Sequence, residues 1–332
     1  MNNIDNTSLK NISDMTFNEK LHVSVKYDDI EDWLDMHFIR PVGLRWAMTC
    51  MKHNVHPNVV TVISMFLGIV AGVMFSYPDV AHNIIGVVLM LLFTFGSSAD
   101  GQLARLTGKR TFEGRVLNRL SNYVCFFVIY VAIAIRIYYT PMPGTDTAWR
   151  LAGWLLVIIA AVFAHLQQAL LADYYKRFHL WMKKGKEGGE IDSYAQQRDI
   201  YENLPKKGNV IKGLIKRVCY SNYANYCRRL EKRTPNAQKL KSALLEKYET
   251  VESLPDDLRQ NYLKGSSPLM IIANLLTYNS RVICLFVACL IDQPWIYPLF
   301  EIVVLSCLYI HMHKSHEDLC ASIYDKYLKN TI

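Results

Sequence analysis

Six stretches of this chain stay apolar for long enough to cross a bilayer, and that narrows the choice of fold more than any other feature. A transmembrane helix needs about 20 predominantly apolar residues. The stretches 57–77, 80–100, 116–139, 149–172, 268–291 and 294–313 each meet that requirement. The first, PNVVTVISMFLGIVAGVMFSY, carries no charge. In lipid every backbone N–H and C=O has to be satisfied internally, and for runs of this length the helix does so. The expected fold class is all-α: a polytopic membrane protein with six transmembrane helices and an N-terminal interfacial amphipathic helix. Residues 1–20 are polar and lack the apolar core of a cleaved leader, so the first span is expected to serve as the insertion signal.

Lysine and arginine set the orientation. The connections YPDVAHN, TPMPGTDTA and DQPW carry neither residue. The opposite side carries Arg40, Arg45 and Lys52, then Arg105, Lys109 and Arg110, then a basic segment, and finally Lys314, Lys326 and Lys329. Both termini and the region 97–122 are therefore expected in the cytosol, at the plasma membrane if the source is prokaryotic. The net charge of +8 is accounted for by basic loops beside anionic lipid headgroups. Membrane lipids are the implied partners, and no nucleic acid is. The eight cysteines include no C-x2-C pair, so neither a zinc site nor a redox motif is indicated.

The chain divides around its spans. Residues 1–20 are expected to be a disordered polar tail, 21–56 interfacial amphipathic helices, and 57–180 transmembrane helices 1–4. A cytosolic insert follows at 181–266, then transmembrane helices 5–6 at 267–314 and a cytosolic tail at 315–332. In 28–39, Ile30, Trp33, Leu34 and Phe38 recur at helical spacing with acids opposite, which suits a helix lying in the interface plane. Arg40 and Pro41 are expected to break it. The insert holds 18 Lys/Arg against 11 Asp/Glu. Helices are expected there at 209–233 and 236–249, with breaks at KKGKEGGE and NLPKKGN.

Between spans 2 and 3, residues 97–122 read SSADGQLARLTGKRTFEGRVLNRLSN. Ser97, Asp100 and Ala104 share one helical face, and Gly114, Asn118 and Asn122 recur one turn apart on the next helix. The two faces are expected to meet across the loop LTGKRTF at the membrane–cytosol boundary. Glycines at 101 and 114 admit a ligand close to the backbone, and Arg105 offers paired N–H donors to a phosphate.

This stretch resembles the signature of the CDP-alcohol phosphatidyltransferases, D-x2-D-G-x2-A-R-x8-G-x3-D-x3-D. Asp100, Gly101, Ala104, Arg105 and Gly114 fall on its fixed positions without a gap, while Ser97, Asn118 and Asn122 stand where it has aspartates. The resemblance implies transfer of a substituted phosphate from a CDP-linked donor to an alcohol, with release of CMP, in phospholipid biosynthesis. It also implies a CDP-linked donor or CMP as ligand, a homodimer, and Mg²⁺ or Mn²⁺ as cofactor. Asp100, Gly101, Ala104, Arg105 and Gly114 would bind the nucleotide. Asp100, with Ser97 and Asn118, would hold metal, and Asn122 occupies the position of the catalytic base.

The substituted residues bring different chemistry. Ser97 offers a neutral hydroxyl, Asn118 a carbonyl oxygen without charge, and Asn122 cannot accept a proton at neutral pH. Mg²⁺ favours hard anionic oxygens in octahedral geometry, so Asp100 alone is a thin basis for it. Glu113 leaves its helix about 100° from the face of Gly114. His165 and Asp173 are substitute candidates for the base and acid; a buried imidazole bonded to a neighbouring helix and an ion pair with Lys176 or Arg177 are their structural alternatives. Arg115 and Arg119 follow Gly114 and Asn118 around their helix and could meet Asp100 or a phosphate; Arg119 and the intramembrane Arg281 are candidates for a lipid or acceptor phosphate. For Arg281 the alternative is a buried pair with Glu301. Two functions remain open on sequence: the family's phosphotransfer, or a catalytically impaired relative that binds a CDP-linked or phospholipid ligand or partners an active enzyme.

Overall fold

The computed structural model describes residues 15–25, 30–185, 191–203 and 210–329. Among the described residues six helices are long and apolar enough to cross a membrane: Pro57–Met74, Val80–Leu106, Glu113–Tyr139, Arg150–Lys184, Asp256–Leu290 and Ile296–Tyr327. They are spans 1 to 6. Their starts follow local capping chemistry. Pro57 enters span 1 at its first position, where no N–H is required, after His56, whose ring accepts from Asn58 N. Asp79 accepts from His82 N ahead of span 2, and Thr111 from Gly114 N ahead of span 3. Gly108, at φ +64°, takes the left-handed turn after span 2 that a side chain would disfavour.

Residues up to His165 together with 278–304 form one compact unit. Its helices close on small residues, as lipid-embedded helices commonly do. On span 1, Gly68 and Gly72 are a turn apart. A Cβ on Gly68 would fall 2.8 Å from Cys125 Sγ and 2.9 Å from Phe93 Cδ2, and one on Gly72 2.8 Å from Val128 Cγ1. Phe93, Cys125, Ile129 and Ile133 are fully buried in the resulting core. Ahead of span 1 come α1 (Phe17–Ser24) and α2 (Arg40–Lys52). Gly43 of α2 meets span 2 so closely that a Cβ would lie 2.7 Å from both Ser98 Oγ and Gln102 Oε1. That contact brings the N-terminal helices onto residues 97–105.

Residues 166–277 and 305–332 form a second unit. It includes three insert helices, α3 (Tyr194–Glu202), α4 (Val210–Arg233) and α5 (Pro235–Tyr248). Around the buried His316, Tyr175 stacks at 3.9 Å between ring centres and the Tyr262 hydroxyl bonds Nε2 at 2.9 Å.

Several boundaries differ from expectation. Pro41 does not end the first helix: a π-helical turn at Asp35–Ile39 runs straight into α2, and a wider turn accommodates a residue with no N–H to give. Residues 17–20, expected in a disordered tail, belong to α1, which a Thr16–Glu19 capping box starts; residues 1–14 lie outside the described part. Spans 2, 4, 5 and 6 continue past their apolar stretches, to Leu106, to Lys184, from Asp256 and to Tyr327, because charge ends hydropathy without ending a helix. Residues 315–327 are accordingly helix and not a tail, and Glu317 there accepts from Asn236 N at 2.8 Å. Span 5 is interrupted at 276–277, between Leu275 and Tyr278. The helices expected at 209–233 and 236–249 are present. Most of the expected break segments, 186–190 and 204–209, lies outside the described residues.

Candidate functional site

Where span 2 ends and span 3 begins, the two halves of the 97–122 pattern face each other around Asp100. Its side chain is buried, yet both carboxylate oxygens are engaged. Thr61 Oγ1 of span 1 donates to Oδ2 at 2.6 Å. Asn118 Nδ2 of span 3 donates to Oδ1 and Oδ2 at 3.0 and 2.9 Å. This amide also reaches Ser97 Oγ at 3.4 Å. One turn on, Asn122 Nδ2 donates back to the Asn118 carbonyl at 3.0 Å. Of the four positions at which the signature this stretch resembles has aspartates, Asp100 alone carries a carboxylate, and neutral donors engage it.

Beside this cluster opens a cavity of about 490 Å³. Ser97, Asp100, Gly101, Ala104, Arg105, Gly114, Asn118 and Arg119 line it, as the sequence suggested. Asn122 is not among its lining residues. Arg105 is held in place from behind, its Nε donating to the Ser24 carbonyl of α1. A Cβ on Gly101 would lie 3.2 and 3.3 Å from the terminal nitrogens of Arg105, so the glycine leaves room for the guanidinium. A Cβ on Gly114 would stand 3.0 Å from Asn58 Oδ1 and from Thr111 Oγ1. The N-terminus of the span 3 helix opens on the cavity too, adding partial positive charge.

Other lining residues were not singled out in the sequence. Thr61 is one; a hydroxyl in a charge-free span was the signal, since a polar group in lipid calls for a partner. Glu31 and Arg40 are two more. Arg40 Nη2 donates to both Glu31 oxygens at 3.0 and 3.1 Å, and Nη1 to Ser98 Oγ at 3.3 Å. Lys109 and Arg110 extend the basic wall, which Arg115, a residue the sequence did single out, completes.

Four other candidates sit elsewhere. His165 lies in a buried group: its Nδ1 is 2.8 Å from the Tyr130 hydroxyl and 3.4 Å from Glu301 Oε1. Arg281 is paired with Glu301 at 2.5 Å, the two side chains 1% and 0% exposed, which is the ion pair named as the alternative to a phosphate role. Asp173 belongs to the second unit and pairs with Arg177 at i+4. Glu113 is exposed and does not line the cavity.

The donor set does not fit a pair of divalent cations. Among the described residues no three His, Cys, Asp or Glu side chains converge to hold a metal. Mg²⁺ takes carboxylates plus water or phosphate oxygens at octahedral positions. Here Asp100 is the carboxylate present at the four signature positions 97, 100, 118 and 122, and three hydrogen bonds from neutral groups occupy it.

Residues 54–184, the stretch that holds spans 1–4, match the family model described as CDP-alcohol phosphatidyltransferase. Neither the curated proteins nor the solved structures gave a match to the chain. The family's general reaction is phosphotransfer from a CDP-alcohol, and its members generally depend on divalent metals.

Proposed function

We propose that this member of the CDP-alcohol phosphatidyltransferase family binds the CDP part of a CDP-linked lipid donor in the cavity beside Asp100, and that its transfer step is impaired. The carrying observation is the state of Asp100: the family's acidic cluster survives as one carboxylate, saturated by Thr61 and Asn118. The binding half of the pattern remains complete. Gly101 and Gly114 keep their close approaches, and Arg105 lines the cavity with its guanidinium tethered.

On this reading the cavity faces the cytosol, consistent with the basic loops on that side, and the lipid tails of the donor remain in the bilayer. Arg105 grips a phosphate with charge-assisted donors. Asn122 cannot take a proton from an acceptor alcohol, and its amide is turned to the Asn118 carbonyl. The protein therefore serves phospholipid metabolism by holding a donor, alone or beside an active enzyme.

The test pairs binding with turnover on the detergent-purified protein. CMP should bind, and Arg105→Ala should weaken it by roughly tenfold or more, since a hydrogen bond to a charged group contributes about 1.5–3 kcal/mol. With CDP-diacylglycerol and a panel of alcohols, CMP release should stay at the level of Asp100→Asn. Divalent-dependent CMP release that Asp100→Asn abolishes would establish the family reaction instead.

A further inference from the structure

We infer that the cavity holds the diphosphate of its ligand on guanidinium and ammonium groups, with no divalent metal between ligand and protein. The inference rests on the reading of this cavity as a CDP site and adds the means of recognition. Six cationic side chains line it, Arg40, Arg105, Lys109, Arg110, Arg115 and Arg119, against two carboxylates, Glu31 and Asp100. Glu31 is matched to Arg40.

A diphosphate entering a pocket of several carboxylates meets like charge, and a bound metal is what offsets it. Here Ser97 and Asn118 present no charge to the cavity, so that repulsion is largely gone. The surplus of positive charge is then available to the phosphates directly and works against entry of a divalent cation.

Geometry points the same way. The Thr61 hydroxyl and the Asn118 amide turn their hydrogens toward Asp100. A cation on this carboxylate would displace those donors onto their longer neutral acceptors, the Pro57 carbonyl at 3.2 Å and Ser97 Oγ at 3.4 Å, exchanging charge-assisted bonds for weaker ones at a loss of about 1 kcal/mol each. Arginine, by contrast, meets a phosphate through two parallel N–H groups and stays charged under all working conditions. With Arg105 Nε already bonded to the Ser24 carbonyl, its guanidinium loses little freedom on binding.

The experiment is titration calorimetry of CDP into the full-length protein in detergent, once with EDTA and once with Mg²⁺. The dissociation constants should agree within about twofold. Asp100→Asn should tighten CDP in EDTA by about fivefold, the equivalent of about 1 kcal/mol, because it removes a negative charge near the phosphates. Binding that requires Mg²⁺, or that weakens in Asp100→Asn, would overturn the inference and leave the cavity assigned as a CDP site. Failure of CDP to bind under either condition would overturn both.

Discussion

Replacing Glu301 with Gln should destabilise the protein far more than the loss of one membrane hydrogen bond. Glu301 is fully buried and receives Arg281 Nη1 at 2.5 Å and the Tyr130 hydroxyl at 2.6 Å. Interhelical hydrogen bonds in membranes average about 0.6 kcal/mol and reach about 1.7. Removing one partner of a buried ion pair costs about 3–5 kcal/mol, because the other charge is left uncompensated. Arg281 is 1% exposed, so Glu301→Gln belongs to the second case, and about 3 kcal/mol is expected. Arg281→Met should cost a similar amount. The double variant removes both charges and should recover about 2 kcal/mol or more of the summed loss. The assay is reversible unfolding in mixed micelles for the wild type, both single variants and the double. Additive losses, or a cost below about 1 kcal/mol for Arg281→Met, would refute the ion pair as its main role and return Arg281 to the phosphate assignment.

Two further outcomes follow from local geometry. Gly68→Ala places a Cβ within 2.9 Å of Cys125 Sγ and Phe93, and overpacking of this kind costs about 1–3 kcal/mol; an unchanged melting temperature would mean that spans 1, 2 and 3 are less tightly closed than described. Burial pushes the Asp35 carboxyl above its ordinary range, while Arg40 and an Asn279 hydrogen bond pull it down. A raised folded value means that the stabilisation is present below the unfolded carboxylate range and is lost as pH rises through the folded value. Asp35→Asn, permanently neutral, should therefore raise the melting temperature at neutral pH and change it little in acid. A lowered melting temperature at neutral pH would show that Arg40 and Asn279 outweigh burial.

The spans were legible because a bilayer imposes one condition on every residue that crosses it. Their ends were less so: hydropathy stops at the first charges, whereas the helix carrying Asp100 and Arg105 runs on to Leu106. The site was legible because fixed spacing puts Ser97 and Asp100 on one face of span 2 and a short loop returns Asn118 on span 3, where the two faces meet. Glu31 and Arg40 escaped because their place depends on α2 closing against span 2 at Gly43, a contact between segments far apart in sequence. Pro41 misled for a local reason, since a π-helical turn absorbed what an α-helix would not tolerate. His165 and Asp173 show the limit of residue type as a guide: each has base or acid chemistry, and each is engaged by Tyr130 and Glu301 or by Arg177.

The central claim, that neutral residues at three positions have cost this domain its metal site, is tested most directly by Mn²⁺ binding followed by electron paramagnetic resonance. Ser97→Asp and Asn118→Asp add carboxylates where span 2 and span 3 meet at Asp100, and Asn122→Asp adds a third one turn beyond Asn118. Each single replacement should do little, because one added carboxylate does not complete a metal shell. Wild type should leave the Mn²⁺ spectrum as that of the free ion, and the triple variant should capture the ion and release more CMP from CDP-diacylglycerol. Capture of Mn²⁺ by the wild type, lost in Asp100→Asn, would contradict the account.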